Sequence, residues 1–188
     1  KKRVIGQDEI LKQISEAMLR SRAGISDRSK RIGSFLFLGS TGVGKTESAK
    51  ALAEAYFGHE ERMIRLDMSE FQAVDSIGRL LGDQKTGEPS KFLSEVSENP
   101  FSVLLLDEIE KAYPEILNLF LQVLDEGWLT DAFGNKAIFK NMIIIATSNA
   151  GAEIIKDGIQ GGYSNEVIHK QVVDYAIKSG IFRPEFLN

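Results

Sequence analysis

Three stretches of the chain carry apolar side chains with almost no polar alternation: Phe35-Leu36-Phe37-Leu38, Phe101-Ser102-Val103-Leu104-Leu105-Leu106 and Met142-Ile143-Ile144-Ile145-Ala146. Short continuous apolar runs are what strands covered on both faces of a parallel sheet look like. A fourth stretch, Met63-Ile64-Arg65-Leu66-Asp67, alternates partway and ends acidic, as a less buried strand would. Between these runs apolar residues recur at helical spacing. The first such set is Ile10, Ile14, Ala17 and Met18; the second is Ala49, Leu52, Ala53, Tyr56 and Phe57. A helix from about Ser69, its N-cap, would bury Phe71, Val74, Ile77, Leu80 and Leu81. Phe92, Leu93 and Val96 mark a shorter helix closed by Asn99-Pro100, and Pro114 opens another that carries Ile116, Leu117, Phe120, Leu121 and Leu124 up to Gly127. A last amphipathic set is Val167, Ile168, Val172, Val173, Ala176 and Ile177. Residues 128–139 read as a hairpin turning at Phe133-Gly134-Asn135. Residues 24–33, 82–90 and 151–163 read as loops, the last with a short helical turn.

The first apolar run leads into Gly39-Ser40-Thr41-Gly42-Val43-Gly44-Lys45-Thr46, which satisfies the phosphate-loop pattern of two glycines, a lysine and a hydroxyl at fixed offsets. The flanks supply the strand and the helix that the pattern requires. Glycines let the backbone wrap so that successive N–H groups face one point, and the next helix adds its positive end. Lys45 would reach the outer phosphates of a nucleotide and Thr46 would hold magnesium.

The 188 residues, 43% hydrophobic and 27% charged, suit one globular domain with a real core. The net charge of -4 advertises no global basic field for nucleic acid. With no cysteine and two histidines, His59 and His169, a disulfide framework and a cysteine-based zinc site are excluded and a histidine cluster is disfavoured. Oxygen-ligated magnesium remains. No apolar run approaches the roughly 20 residues of a membrane span, and no signal peptide precedes the first helix, so the expected location is the cytoplasm.

The second chemical landmark closes the second apolar run, where Asp107 and Glu108 come directly after Leu106. Carboxylates at the carboxyl end of a buried strand stand where α/β sheets bind ligands. Asp107 would orient hydrated magnesium and Glu108 would polarise the attacking water, so the two landmarks together indicate nucleotide hydrolysis.

Several further stretches give the chain a resemblance. They are Val4-Ile5-Gly6-Gln7, the phosphate loop, Arg65-Leu66-Asp67-Met68-Ser69-Glu70-Phe71, Leu106-Asp107-Glu108-Ile109-Glu110-Lys111, Leu121-Gln122-Val123-Leu124-Asp125, Thr147-Ser148-Asn149 and Phe182-Arg183-Pro184-Glu185. Nearly end to end, the chain resembles the large subdomain of a Clp-type AAA+ module, particularly the second ATPase module of the ClpA, ClpB and ClpC unfoldases. The resemblance implies an α/β fold with a parallel sheet in the order 5-1-4-3-2, sandwiched by helices, over residues 1–188 of a longer chain. Its fifth strand and helical lid would lie beyond Asn188. It also implies nucleotide contacts from Val4 and Ile5, a γ-phosphate sensor at Asn149, and an arginine finger at Arg183 that enters a neighbouring subunit's site. Read without the resemblance, Asn149 can cap a turn and Arg183 can pair locally with Glu185.

The resemblance further implies an ATPase that uses ATP and Mg2+ in a hexameric ring to remodel or unfold a protein substrate, as a chaperone or beside a protease. Action on an assembled partner or a nucleic acid is the alternative, and a nucleotide-gated scaffold with little turnover is a third. Three positions depart from the family pattern. The loop 82–90 lacks the glycine-flanked aromatic that grips polypeptide, Trp128 stands in place of arginine, and Tyr113 stands in place of histidine.

Overall fold

A computed structural model describes residues 32–40, 42 and 44–178. The helix expected around Ile10, and the residues Val4, Ile5, Thr41, Val43 and Arg183, lie outside that set. The three continuous apolar runs all become strands of one parallel sheet, with β1 at Gly33–Leu38, β3 at Val103–Asp107 and β6 at Ile143–Ser148. The partly alternating run forms β2, Met63–Asp67. Strand order is β1-β6-β3-β2, so the strand that leads to Asn149 lies between the phosphate-loop strand and the Asp107 strand, as expected. Every residue of β3 and β6 is buried.

Side chains that alternate across this sheet feed two separate apolar layers. Val103, Leu105, Ile143 and Ile145 pack with Ala49 and Ala53 of α1, Lys45–Phe57. The intervening Leu104, Leu106, Ile144 and Ala146 face the other way. They pack with residues of α2 (Ser76–Leu81), α3 (Lys91–Glu98) and α4 (Pro114–Glu126). Two local signals act as expected: Pro114 begins α4, and Gly127, with φ of 76°, ends it. The hairpin also forms, from β4 (Trp128–Thr130) and β5 (Lys136–Ile138). Asp131 builds its turn by accepting the N–H groups of Phe133 and Asn135 at 2.9 and 2.7 Å. Trp128 takes the Lys136 ammonium over its ring, 3.9 Å from the centroid.

Two expectations need correction, and one loop gains a definite shape. No helix starts at Ser69. Asp67, not Ser69, caps a single 3₁₀ turn over Met68–Glu70, and α2 begins only at Ser76, which leaves Val74 exposed. The reason is tertiary: the Phe71 carbonyl accepts the N–H of Tyr113 at 2.8 Å and so is not available to continue a helix. The loop 82–90 forms as expected, as a turn closed on itself. Asp83 and Glu88 pair as a β-bridge, and the Gln84 amide donates to the Ala132 carbonyl of the neighbouring hairpin. Residues 151–163 hold a full helix, α5 (Ala152–Gln160), with α6 (Asn165–Lys178) next in the chain. Among the described residues no helix is long and apolar enough to cross a membrane.

Candidate functional site

The carboxyl ends of β1, β6, β3 and β2 open into one cleft of about 450 Å³. Gly42, Gly44, Lys45 and Thr46 of the phosphate loop line it, facing Asp107, Glu108 and Asn149. The loop's shape rests on glycine. Gly42 and Gly44 have φ of 82° and 90°, a region costly for other residues, and a Cβ at either would meet nothing within 4 Å. Gly44 is also the N-cap of α1, and no side chain caps the helix there. The first-turn N–H groups and the positive helix end therefore face the cleft without a competing acceptor from a cap. This cradle fits a polyphosphate.

Lys45 projects from the first turn of α1 back over the loop. Its ammonium donates to the Gly39 carbonyl at 2.5 Å and the Asn149 Oδ1 at 2.7 Å, with the Ser40 and Ser148 carbonyls at 3.3 and 3.4 Å. Burial pushes the Lys45 ammonium below its ordinary pKa, against the opposing pull of the nearby carboxylates Glu110, Asp107 and Glu108. The side chain is thus a partly desolvated cation held by dipoles, which gains from an anionic partner.

Across the cleft, Asp107 is fixed from two sides. Its Oδ1 accepts the Thr147 hydroxyl at 2.5 Å, and its Oδ2 accepts Nε and Nη2 of Arg65 at 3.1 and 2.6 Å. Glu108 adopts φ of 54° and is alone among the described non-glycine residues in having positive φ. That conformation costs of order 1–3 kcal/mol and turns the chain out of β3 into the cleft. Its N–H donates to the Thr147 hydroxyl at 3.1 Å. Its carboxylate accepts the Asn149 amide on Oε1 at 3.1 Å and the Lys111 ammonium on Oε2 at 2.7 Å. The Glu108 contact in turn raises the Lys111 pKa. Asn149 therefore bridges Lys45 to Glu108, and its own N–H donates to Glu110 Oε1 at 3.0 Å.

Most of the residues singled out from the sequence converge here: Lys45, Thr46, Gly42, Gly44, Asp107, Glu108 and Asn149 share the cleft, while Gly39 and Ser40 bind Lys45 through their carbonyls. Thr46 and Asp107 present only hard oxygen donors, which fits magnesium rather than a softer metal. Sequence reasoning gives Arg65 no role in the site and Thr147 only a place among the polar residues Thr147-Ser148-Asn149 at the ligand edge. The signal available for Arg65 is its place two residues before the carboxyl end of a strand, on the edge where parallel sheets bind ligands.

A family model described as AAA domain (Cdc48 subfamily) matches residues 30–188. The chaperone protein ClpB of Meiothermus ruber is 49% identical over 191 aligned residues, which cover 100% of this chain and 22% of that protein. The ClpB proteins of Enterococcus faecalis and Bacillus anthracis are each 48% identical, over 100% and 99% of this chain and 22% of theirs. The chain thus spans about a fifth of the length of these relatives. It belongs to the AAA domain family, as a Clp-type AAA+ ATPase domain with an α/β phosphate-loop core.

Proposed function

We propose that this domain binds ATP with Mg2+ and hydrolyses it within a ring of subunits, and that the longer protein spends that turnover on remodelling other proteins. The observation that carries the reading is the pairing, within one cleft, of an uncapped phosphate-loop helix bearing Lys45 with a carboxylate, Glu108, held out of its strand by a left-handed backbone. Lys45 would exchange its carbonyl contacts for phosphate oxygens, which return the charge that burial now penalises. Gly39, Ser40, Thr41, Gly42, Val43 and Gly44 would wrap the phosphates with backbone donors. Thr46 and Asp107 would hold the magnesium ion, whose charge would offset that of the phosphate oxygens. Glu108 would accept the proton of the attacking water, and Asn149, already joined to both Lys45 and Glu108, would report whether phosphate is present. Val4 and Ile5 are assigned to the nucleotide and Arg183 to a neighbouring subunit's site by resemblance alone.

The ClpB relatives are chaperones, which supports the chaperone form of the reading over a protease-associated one. The test is to follow ATP turnover and recovery of an aggregated reporter enzyme together in the full-length protein. Loss of both on Lys45→Ala is the expected result. Recovery that persists without turnover at this site would overturn the coupling.

A further inference from the structure

The cleft is lined by the carboxylates Glu47, Asp67, Asp107 and Glu108 and the cations Lys45 and Arg65, with Lys111 paired to Glu108 beside it. Two of the cations have assigned work or an exposed partner: Lys45 belongs to the phosphate loop, and Lys111 pairs with Glu108 three residues away. Arg65 belongs to neither group. It sits on β2 opposite Leu105 of β3, and its guanidinium bonds Asp107 closely while pairing more loosely with Asp67 of its own strand. Two of its N–H groups fall on the same oxygen, Oδ2, at 3.1 and 2.6 Å, while Asp67 Oδ2 is 3.6 Å away and Asp67 Oδ1 is engaged by Ser69. Since Thr147 holds Oδ1, Asp107 has both oxygens occupied. Its side chain is 13% exposed and that of Arg65 is 48% exposed, so the arginine is the partner with freedom to leave.

From this geometry we infer that Arg65 is a positioning residue that stands in for a divalent cation at Asp107 and competes with it, so that Arg65 sets how tightly the site binds the ion. The inference rests on the reading that Asp107 serves a metal ion. A guanidinium and a divalent cation seek the same carboxylate lone pairs. While the arginine is in place the carboxylate is held in one orientation, with a cation beside it among the neighbouring acids. Loading the ion then requires the arginine to share or yield Oδ2, which lowers the apparent affinity.

The experiment measures Mn2+ binding by electron paramagnetic resonance in the full-length protein with ADP present, and uses the Asp107→Asn variant to subtract ions bound elsewhere. Arg65→Met keeps the length of the side chain and removes its charge. It should tighten Mn2+ binding at this site by about two- to fivefold, within the range expected for release of one half-exposed ion pair. Arg65→Lys, which keeps the charge but loses the paired N–H groups, should fall between. Without added cation, Arg65→Met should melt below wild type, and saturating Mn2+ should close that gap. If Asp107→Asn abolishes the bound ion while Arg65→Met, or Arg65→Lys where the methionine variant fails to fold, binds Mn2+ no more tightly than wild type, the competition is refuted and the metal role of Asp107 survives. If Asp107→Asn leaves Mn2+ binding unchanged, the metal role falls and the competition falls with it.

Discussion

Thr147 is fully buried in the middle of the sheet's ligand edge, and its hydroxyl is used twice, as donor to Asp107 and as acceptor for the Glu108 N–H. Replacing it with valine keeps the shape and strands a carboxylate oxygen and a backbone N–H. Each loss of that kind costs about 1–3 kcal/mol, so Thr147→Val should lower the denaturant midpoint accordingly with an unchanged slope. An unaltered midpoint would show that the hydroxyl is dispensable. Asp67 makes a second residue-scale case. The Ser69 side chain, more than any other contact, holds the Asp67 carboxyl below its ordinary range. A folded-state pKa below the unfolded one means that the stabilisation is complete above the unfolded value and is lost as pH falls through the folded value. Asp67→Asn should therefore flatten the acid limb of stability below about pH 4, as monitored by thermal melts across that window. An acid limb that superimposes on wild type would contradict the assignment. Lys45, Asp107 and Glu108 are legible in the chain because each belongs to a local pattern. Arg65 and Thr147 are legible only as members of strand ends and of the stretches that carry the resemblance, because what fixes their contacts is the pairing of β2 with β3 and of β3 with β6.

The same distinction separates the elements that the chain announces from those that it hides. Strands β1, β3 and β6 are apolar throughout because both faces are covered, a demand that leaves a mark at every position. Helix α5 is hidden because Gly158 within it, and the glycines that flank it, argue against helix on propensity. Gly158, however, lies where Ile168 of α6 comes so close that a Cβ would stand 2.6 Å from its Cγ1. Glycine there serves the packing of two helices and not a turn. The expected start at Ser69 fails in the opposite sense, since the periodicity is present but the Phe71 carbonyl is given to Tyr113. The hairpin around Lys85 and Thr86 carries a prediction of its own. It is closed by the Asp83–Glu88 bridge and contains no aromatic between 82 and 90, whereas a grip on any passing peptide calls for a large apolar side chain. An exposed lysine gains on the order of 1 kcal/mol or less from an ion pair and is screened by salt. Unfolding of a tagged, stably folded reporter through this domain should therefore be slow and salt-sensitive, and Thr86→Tyr should speed it. Fast, salt-insensitive unfolding that survives replacement of Gln84, Lys85 and Thr86 by glycine, with other ATPase sites disabled, would refute this.

Over the whole molecule, two apolar layers clamp the sheet and leave its carboxyl edge open, and the phosphate loop, Asp107, Glu108 and Asn149 all stand there. That convergence is legible in outline because a parallel sheet delivers every strand's carboxyl end to the same side. The domain covers 22% of the length of its chaperone relatives. On the proposed reading, labour within the domain is divided so that Lys45 would hold phosphate and Glu108 would activate water. This division is tested most directly by measuring labelled-ATP occupancy and turnover of this site side by side in full-length protein whose other sites are disabled. Lys45→Ala should lose occupancy and turnover together, whereas Glu108→Gln should keep near wild-type occupancy and lose turnover by about 10²-fold or more, the scale of a general base. Turnover by Glu108→Gln at the wild-type rate would contradict the division.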